Sequence, residues 1–260
     1  MSAYAQLNSW TTCLQPNSQA RLRLICFPDV GSGTAAFEAW PCGLSPQIEV
    51  CLVHFPGRES RLMQAPFTRM AALIHVLASV LLPVCDRPFA FWGNNLGALV
   101  SFELARYWYY RDLACPKHLF LANCSAPHLL QHQVQKHLLS EADFITALHS
   151  YSNIPDTLLQ DPKLLKRMLP VLRADFAILE TYQYRSGWAL PCPISVFGNE
   201  QQTAEVTYDS LAAWEIHTQS HFKLRHLKGD RLALETQSAQ ILAAMNEDLA
   251  NGGFGRLYPN

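Results

Sequence analysis

The sequence lacks a dominant charge. Lysine plus arginine number 20 against 21 for aspartate plus glutamate, and charged residues make up only 16% of the 260 positions. A broad basic face for nucleic acid is therefore excluded, and no local Lys/Arg run restores one. Long hydrophobic runs are missing as well. The longest, Ala71 to Val84, is interrupted by His75, Ser79 and Pro83 and is too short to span a bilayer. Residues Met1 to Ser18 are mixed and polar, without the apolar core of a signal peptide. The expectation is a cytoplasmic protein that does not enter a membrane. None of the eight cysteines forms a C-x-x-C pair. Cys26 and Cys51 lie inside apolar runs, where a free thiol serves as a small core hydrophobe. A disulfide framework is a poor reading for a chain this long, so a reduced protein is expected. No internal repeat, low-complexity run or linker is visible.

Hydrophobic residues are plentiful, at 49%, with 11% aromatic, which suffices for a large buried core. Short apolar runs alternate with longer amphipathic segments. The strand candidates are Leu22–Phe27, Val50–Phe55, Pro88–Trp92, His118–Ala122, Pro193–Phe197 and Lys223–Leu227, each bounded by Pro, Gly or Asn. Helix candidates between and after them are Ala35–Trp40, Thr68–Leu82, Gly97–Arg111, Thr207–Ile216 and Leu232–Ala250. Within Thr68–Leu82, the residues Ala72, Leu73, Val76, Leu77 and Val80 recur at helical spacing. Alternating β and α with continuous apolar strands implies an α/β fold, with a mainly parallel sheet covered on both faces.

Between about Leu138 and Tyr184 the alternation stops and every segment reads helical. Ser140 caps one helix with an acidic first turn, and Asp161-Pro162 opens another. A helical insertion leaving the strand ends is expected to form a lid over about 138–185, since ligands bind at those ends in open α/β sheets. Residues 1–20 are expected to be an N-terminal extension, 21–250 one domain, and 251–260 a loose tail.

The strongest local signal is Phe89-Ala-Phe-Trp92, then Gly93-Asn94-Asn95-Leu96-Gly97, then the apolar helix Ala98–Ala105. Strand, G-x-x-x-G and helix is the pattern of a nucleophile elbow, where flanking glycines give the backbone room. Its centre demands Ser, Cys or Asp to attack a carbonyl. Here it holds Asn95, whose amide nitrogen lone pair is delocalised and does not attack. Alone, the motif reads equally well as a tight strand-to-helix turn.

Several further motifs resemble the stand-alone type II thioesterases of polyketide and nonribosomal-peptide pathways. Leu24-Ile-Cys-Phe-Pro28 leading to Gly31-Ser-Gly33, with Phe37 and Trp40, resembles their opening strand and oxyanion loop. Phe55-Pro-Gly-Arg-Glu59 with Arg61-Leu62 resembles their P-G-R-E signature. Arg87-Pro-Phe-Ala90 and Gly97–Ala105 flank the elbow as in the family, and Ala126-Pro-His128 matches the segment before the lid. Leu169–Phe176 with Glu180-Thr-Tyr182 matches the lid helix, and Cys192-Pro-Ile194, Trp214 and Thr218 match the last strands. The likeness runs from about Leu22 to Leu234.

The resemblance implies an α/β-hydrolase with a helical lid that removes stalled acyl groups from carrier-protein phosphopantetheine arms. It implies no cofactor beyond that arm, a carrier-protein partner and backbone amides near Val30 and at Leu96 as oxyanion donors; a monomer is expected. The family's Ser, Asp and His positions fall on Asn95, Gln201 and Arg231, with Glu200 adjacent where the register of the acid loop is open. A serine needs an imidazole to take its proton, and the imidazole needs a carboxylate to hold its tautomer. Asn95, Gln201 and Arg231 supply none of these, and a guanidinium stays protonated. Arg58 and Glu59 are expected to form structural ion pairs.

His221 and His226 are weighed as displaced bases and read as structural. His128, His132 and His137 cluster, but no carboxylate or cysteine completes a zinc set. Cys124-Ser125 reads as a loop near the pocket mouth. Three functions remain open. The chain binds tethered acyl groups without cleaving them, or it positions them for cyclisation or acyl transfer, or it retains hydrolysis through deamidation of Asn95.

Overall fold

The computed structural model describes residues 4–130, 135–149, 151, 154, 156–199, 206–227 and 234–251. The strands are β1 (Tyr4–Asn8), β2 (Thr11–Leu14), β3 (Leu22–Phe27), β4 (Ile48–Val53), β5 (Phe89–Asn94), β6 (Leu119–Ala122), β7 (Ile194–Asn199) and β8 (Phe222–Leu227). They form one sheet in the order β1-β2-β4-β3-β5-β6-β7-β8. The six from β3 to β8 run parallel, while β2 pairs antiparallel with both β1 and β4.

The helices are α1 (Trp40–Gly43), α2 (Met70–Leu81), α3 (Leu96–Tyr109), α4 (Glu141–His149), α5 (Asp156–Gln160), α6 (Pro162–Glu180), α7 (Tyr208–Ala212) and α8 (Leu234–Asn251). Side chains of β3 alternate between two cores, as a period of two requires. Ile25 and Phe27 join Phe91, Leu121, Val196, α2 and α3. Leu24 and Cys26 join Trp92, Phe120, Phe197, Trp40, Ile241 and Met245 on the other face. Every residue of β3, β4 and β6 is buried, and the charges within them, Arg23 and Glu49, pair with each other at 2.7 Å in otherwise apolar runs.

The α/β architecture inferred from the sequence is present, with differences in detail. The N-terminal segment contributes two strands to the sheet edge. They are short and carry few strongly apolar residues, so no periodicity announces them. Cys13 and Cys51 stand opposite each other in the β2–β4 ladder and form a disulfide, which corrects the expectation of a reduced protein. Pairing across an edge strand decided that contact, and it leaves no trace in cysteine spacing. The helix expected over Ala35–Trp40 splits into a 3₁₀ turn at Ala35–Phe37 and α1. Pro41 has no N–H and is tolerated only in a first turn, so the helix restarts there. The segment expected as helix Thr207–Ile216 divides into α7, capped by Thr207 and Ser210, and a 3₁₀ stretch at Ala213–His217.

The insertion between β6 and β7 is helical in its described residues, as α4, α5 and α6. The Ser140 hydroxyl accepts from the Asp143 amide, and Asp161 accepts from the amides of Lys163 and Leu164, so both expected caps are in place. Pro170 lies inside α6 and leaves the Lys166 carbonyl without its helical donor. Among the described residues no helix is long and apolar enough to cross a membrane.

Candidate functional site

Strand register places the loops that follow the parallel strands along one sheet edge. Phe27 pairs with Gly93, Asn94 with Ala122, Ala122 with Phe197, and Asn199 with Leu227. Ligands of open α/β sheets bind beyond this edge.

β5 ends at Asn94 and α3 begins at Leu96, so the whole strand-to-helix turn falls on Asn95. Its backbone is at φ 45°, ψ −104°, outside the favoured regions for a side-chain-bearing residue. Such a conformation costs about 1–3 kcal/mol and persists only where surrounding structure dictates it. The two glycines explain how. A Cβ on Gly93 would lie 2.2 Å from the Gly97 carbonyl carbon, and one on Gly97 would lie 2.6 Å from the Phe27 oxygen. The first turn of α3 can therefore press onto β5 and the end of β3 only if both positions lack side chains. The Asn95 amide donates to the Ala122 carbonyl at 2.8 Å and fixes the turn. The elbow anticipated from the sequence is thus present, with a carboxamide at its apex.

The Asn95 carboxamide donates from Nδ2 to the Tyr151 hydroxyl, brought over it by the insertion. Tyr151 packs edge-on to Phe176 of α6, 4.9 Å between centroids. Asn95, Asn123, Cys124, Ser125, Tyr151 and Phe176 wall a cavity of about 50 Å³. Pockets that hold organic ligands are typically about 300–1,000 Å³. Among the described residues, this form of the site is closed to a ligand of that size.

The loop after β3 carries the other half. Val30 is buried, and its amide donates to the Asp29 Oδ1 at 2.6 Å. The Leu96 amide lies close enough to the Asp29 carboxyl to lower its titration. The two amides expected to face a substrate oxyanion therefore both point at an internal carboxyl. Asn94 donates to Oδ2 at 2.7 Å. The Asn94 Oδ1 is buried without a partner among the described residues. Burial pushes the Asp29 carboxyl up to about 7; the Val30 and Leu96 amides and Asn94 pull it down, and Asp175 adds to the rise.

Asp175 fastens α6 to this loop. Its carboxylate takes both oxygens to Arg58 Nη2, at 2.7 and 2.9 Å, and accepts the Gly31 amide at 2.8 Å. Arg58 and Asp175 are 3% and 2% exposed, so the pair is sealed from water. Arg58 Nη1 also donates to the Ser32 carbonyl. Glu59 accepts from the Thr34 amide and pairs with His54 at 3.0 Å. Arg58 thus forms a structural ion pair, with Asp175, while Glu59 is held by hydrogen bonds to His54 and Thr34. Their partners Asp175 and His54 had no marking in the sequence.

Gln201, Arg231 and the adjacent Glu200 lie outside the described residues, as does His132. The strands that precede Gln201 and Arg231, β7 and β8, end at the same sheet edge as the elbow. His221 precedes β8 at the opposite edge, and the exposed His226 stacks on Tyr208. His128 shares a hydrogen bond with His217, 2.9 Å apart, rather than a metal set. Burial lowers His217 to about 4, with His128 and Arg106 adding to the fall, so its imidazole is neutral. The Cys124 thiol is pushed up to about 12, by burial first and by Asp29 second, and at neutral pH is no thiolate nucleophile. A second cluster, His118, Ser195 and Asp248, mimics a triad in composition alone. Ser195 sits between the other two, bonded to His118 at 2.8 Å and Asp248 at 2.7 Å, and is fully buried. A nucleophile needs the imidazole in the middle.

A mainly parallel sheet flanked by helices, a one-residue elbow at the end of β5 and a helical insertion after β6 define an α/β-hydrolase. The chain belongs to the thioesterase family, whose domain model matches residues 22–249. It is 36% identical over 249 residues to the gramicidin S biosynthesis protein GrsT of Aneurinibacillus migulanus, covering 96% of this chain and 97% of that one. Among solved structures it superposes on the type II thioesterase BorB of the borrelidin biosynthetic cluster with a TM-score of 0.85 at 28% identity, covering 94% of this chain and 99% of that one. The RedJ thioesterase of the prodiginine pathway in Streptomyces coelicolor gives a TM-score of 0.80 at 31% identity, covering 88% and 86%. The chain is thus a type II thioesterase-like protein of the nonribosomal-peptide and polyketide kind.

Proposed function

We propose that this protein binds acyl or peptidyl groups tethered to a carrier protein of a nonribosomal-peptide or polyketide synthase and does not cleave them. The observation that carries the reading is Asn95 at the apex of the elbow. The backbone there is bent as a nucleophile requires, but the side chain has no atom that attacks a thioester. Gln201 and Arg231, at the acid and base positions of the sequence pattern, add no general base. The retained insertion and elbow support a ligand of the family's kind. The phosphopantetheine arm comes with the partner, and no further cofactor is invoked. The protein acts as a monomer alongside the synthase.

The test is binding of carrier proteins in apo, holo and acyl forms, read by calorimetry. Tighter binding of the acyl form, with the thioester intact by mass after incubation, is expected. No association with any form would refute the reading. Release of free acid would restore a hydrolase, and a cyclised or transferred product would replace binding with catalysis. Restoring the triad by Asn95→Ser, Gln201→Asp and Arg231→His tests the positional assignment through recovered hydrolysis.

A further inference from the structure

The loss of chemistry at Asn95 concerns the nucleophile, yet a thioesterase needs a second element, a cradle that stabilises the developing oxyanion. We propose that Asp29 is a built-in occupant of that cradle, its carboxyl filling the place of a substrate carbonyl oxygen between the Val30 and Leu96 amides. The inference rests on the family reading of those two amides and deepens the proposed function. It gives a second, independent reason why a bound thioester is held intact.

The geometry is specific. An oxyanion cradle is two backbone N–H groups converging on one point, one from the residue after the nucleophile and one from the loop after an early strand. Leu96 follows Asn95, and Val30 lies in the loop after β3. Val30 donates to the Asp29 carboxyl at 2.6 Å, and the Leu96 amide faces the same carboxyl closely enough to lower its titration. Asn94 closes the third side with its Nδ2 at 2.7 Å. Val30 and Asn94 occupy one oxygen each, and with the Leu96 amide turned to the same carboxyl the cradle is filled. A thioester oxygen entering the site would have to displace an internal group tied to the loop by one rotatable side chain. An enzyme gains about 100- to 1,000-fold in rate from each oxyanion donor. A cradle already filled forgoes that gain.

The surroundings hold Asp29 in place. Arg58 donates to its backbone oxygen, and to Asp175, which sits close enough to Asp29 to raise its titration. From the loop after β6, Cys124 is the other titratable group in its field. Asp29 is 7% exposed, so water does not compete for the amides.

Two measurements test this. In the unaltered protein, NMR titration of the Asp29 carboxyl carbon should move the Val30 and Leu96 amide protons with the same midpoint. Asp29→Asn should abolish both shifts. Amide protons that ignore the Asp29 titration would overturn the proposal. The second measurement uses the background Asn95→Ser, Gln201→Asp, Arg231→His with an acyl-N-acetylcysteamine thioester. Adding Asp29→Ala should raise hydrolysis by at least about 100-fold, since each of the two amides it frees is worth that much. Adding Asp29→Asn, whose carboxamide oxygen still fills the cradle, should not. Equal rates with and without Asp29→Ala would also overturn it. Hydrolysis absent from all these variants would refute the triad positions instead, and the amide titration then decides on Asp29 alone. That arm needs only the unaltered protein and its near-isosteric variant, so a folding defect in Asp29→Ala does not obstruct it.

Discussion

Replacing Asp29 by Asn should make the protein progressively more stable than the parent as pH rises. Burial lifts the Asp29 carboxyl from 3.8 to about 7. Between those values the folded state binds a proton that the unfolded state has lost, so folding stability falls with increasing pH. The whole shift is about 3 units, or about 4 kcal/mol at 1.36 kcal/mol per unit. Between pH 5.5 and pH 8 the unfolded carboxyl is already ionised and the folded one titrates, which leaves about 1.5 units, or about 2 kcal/mol. Asn carries no proton to lose. Its amide meets donors where the carboxyl had acceptors, which adds a constant penalty but no slope. The assay is urea unfolding of parent and Asp29→Asn at pH 5.5, 6.5, 7.5 and 8. Subtracting the two curves cancels histidines common to both. The stability difference should move in favour of the variant by about 2 kcal/mol across the range. A flat difference, or one moving the other way, would refute the claim that this carboxyl is buried in a site that disfavours its charge.

Four further outcomes follow from the packing. Arg58→Ala leaves Asp175 as a buried, unpaired carboxylate and should cost about 3–5 kcal/mol in urea unfolding. Gly97→Ala should fail to fold normally or shift α3, because its Cβ meets backbone oxygens of Phe27 and Pro28 that have no freedom to retreat; circular dichroism and melting temperature report this. Reduction of Cys13–Cys51, 38 residues apart, should cost about 4 kcal/mol by loop entropy, read as a drop in urea midpoint with dithiothreitol. His118 and His217 are both depressed from 6.5 to about 4, chiefly by burial. Their neutral forms are favoured in the fold, so stability is full above about pH 6.5 and is lost as pH falls toward 4. Phe substitutions at both should flatten that acid limb.

Much of the fold was legible because parallel strands buried on both faces are mainly apolar, the buried charges Arg23 and Glu49 neutralising each other across β3 and β4. Leu22–Phe27 was located to the residue. The elbow was legible because only glycine fits at positions 93 and 97. β1 and β2 were missed, since an edge ribbon needs neither a long run nor a clean alternation. Cys13 and Cys51 were misjudged for the same reason, because their meeting depends on a strand pairing that was itself invisible. At the site, the sequence identified Asn95, Val30 and Leu96 by motif. It did not identify Asp29, although an acidic residue directly after Phe27-Pro28, at the end of an apolar strand, was a signal available to be read. Tyr151 and Asp175 come from the insertion, and their roles depend on how helices dock, which local pattern does not encode.

Pro170 divides α6 into two lengths with different freedom. The inner length, carrying Asp175, Phe176 and Glu180, is bolted to the body through Arg58 and through Glu180, which accepts the amides of Lys136 and His137. Among the described residues the outer length, from the Asp161 cap to the proline, has no such ion pair, and Leu165 and Leu169 pack it into the core. A helix bends most cheaply where a backbone hydrogen bond is already missing. Phe176, Leu179 and Glu180, which wall the cavity beside Asn95, all lie on the clamped inner length, so one anchor, Arg58 on Asp175, holds both the wall over the elbow and the loop that carries Asp29.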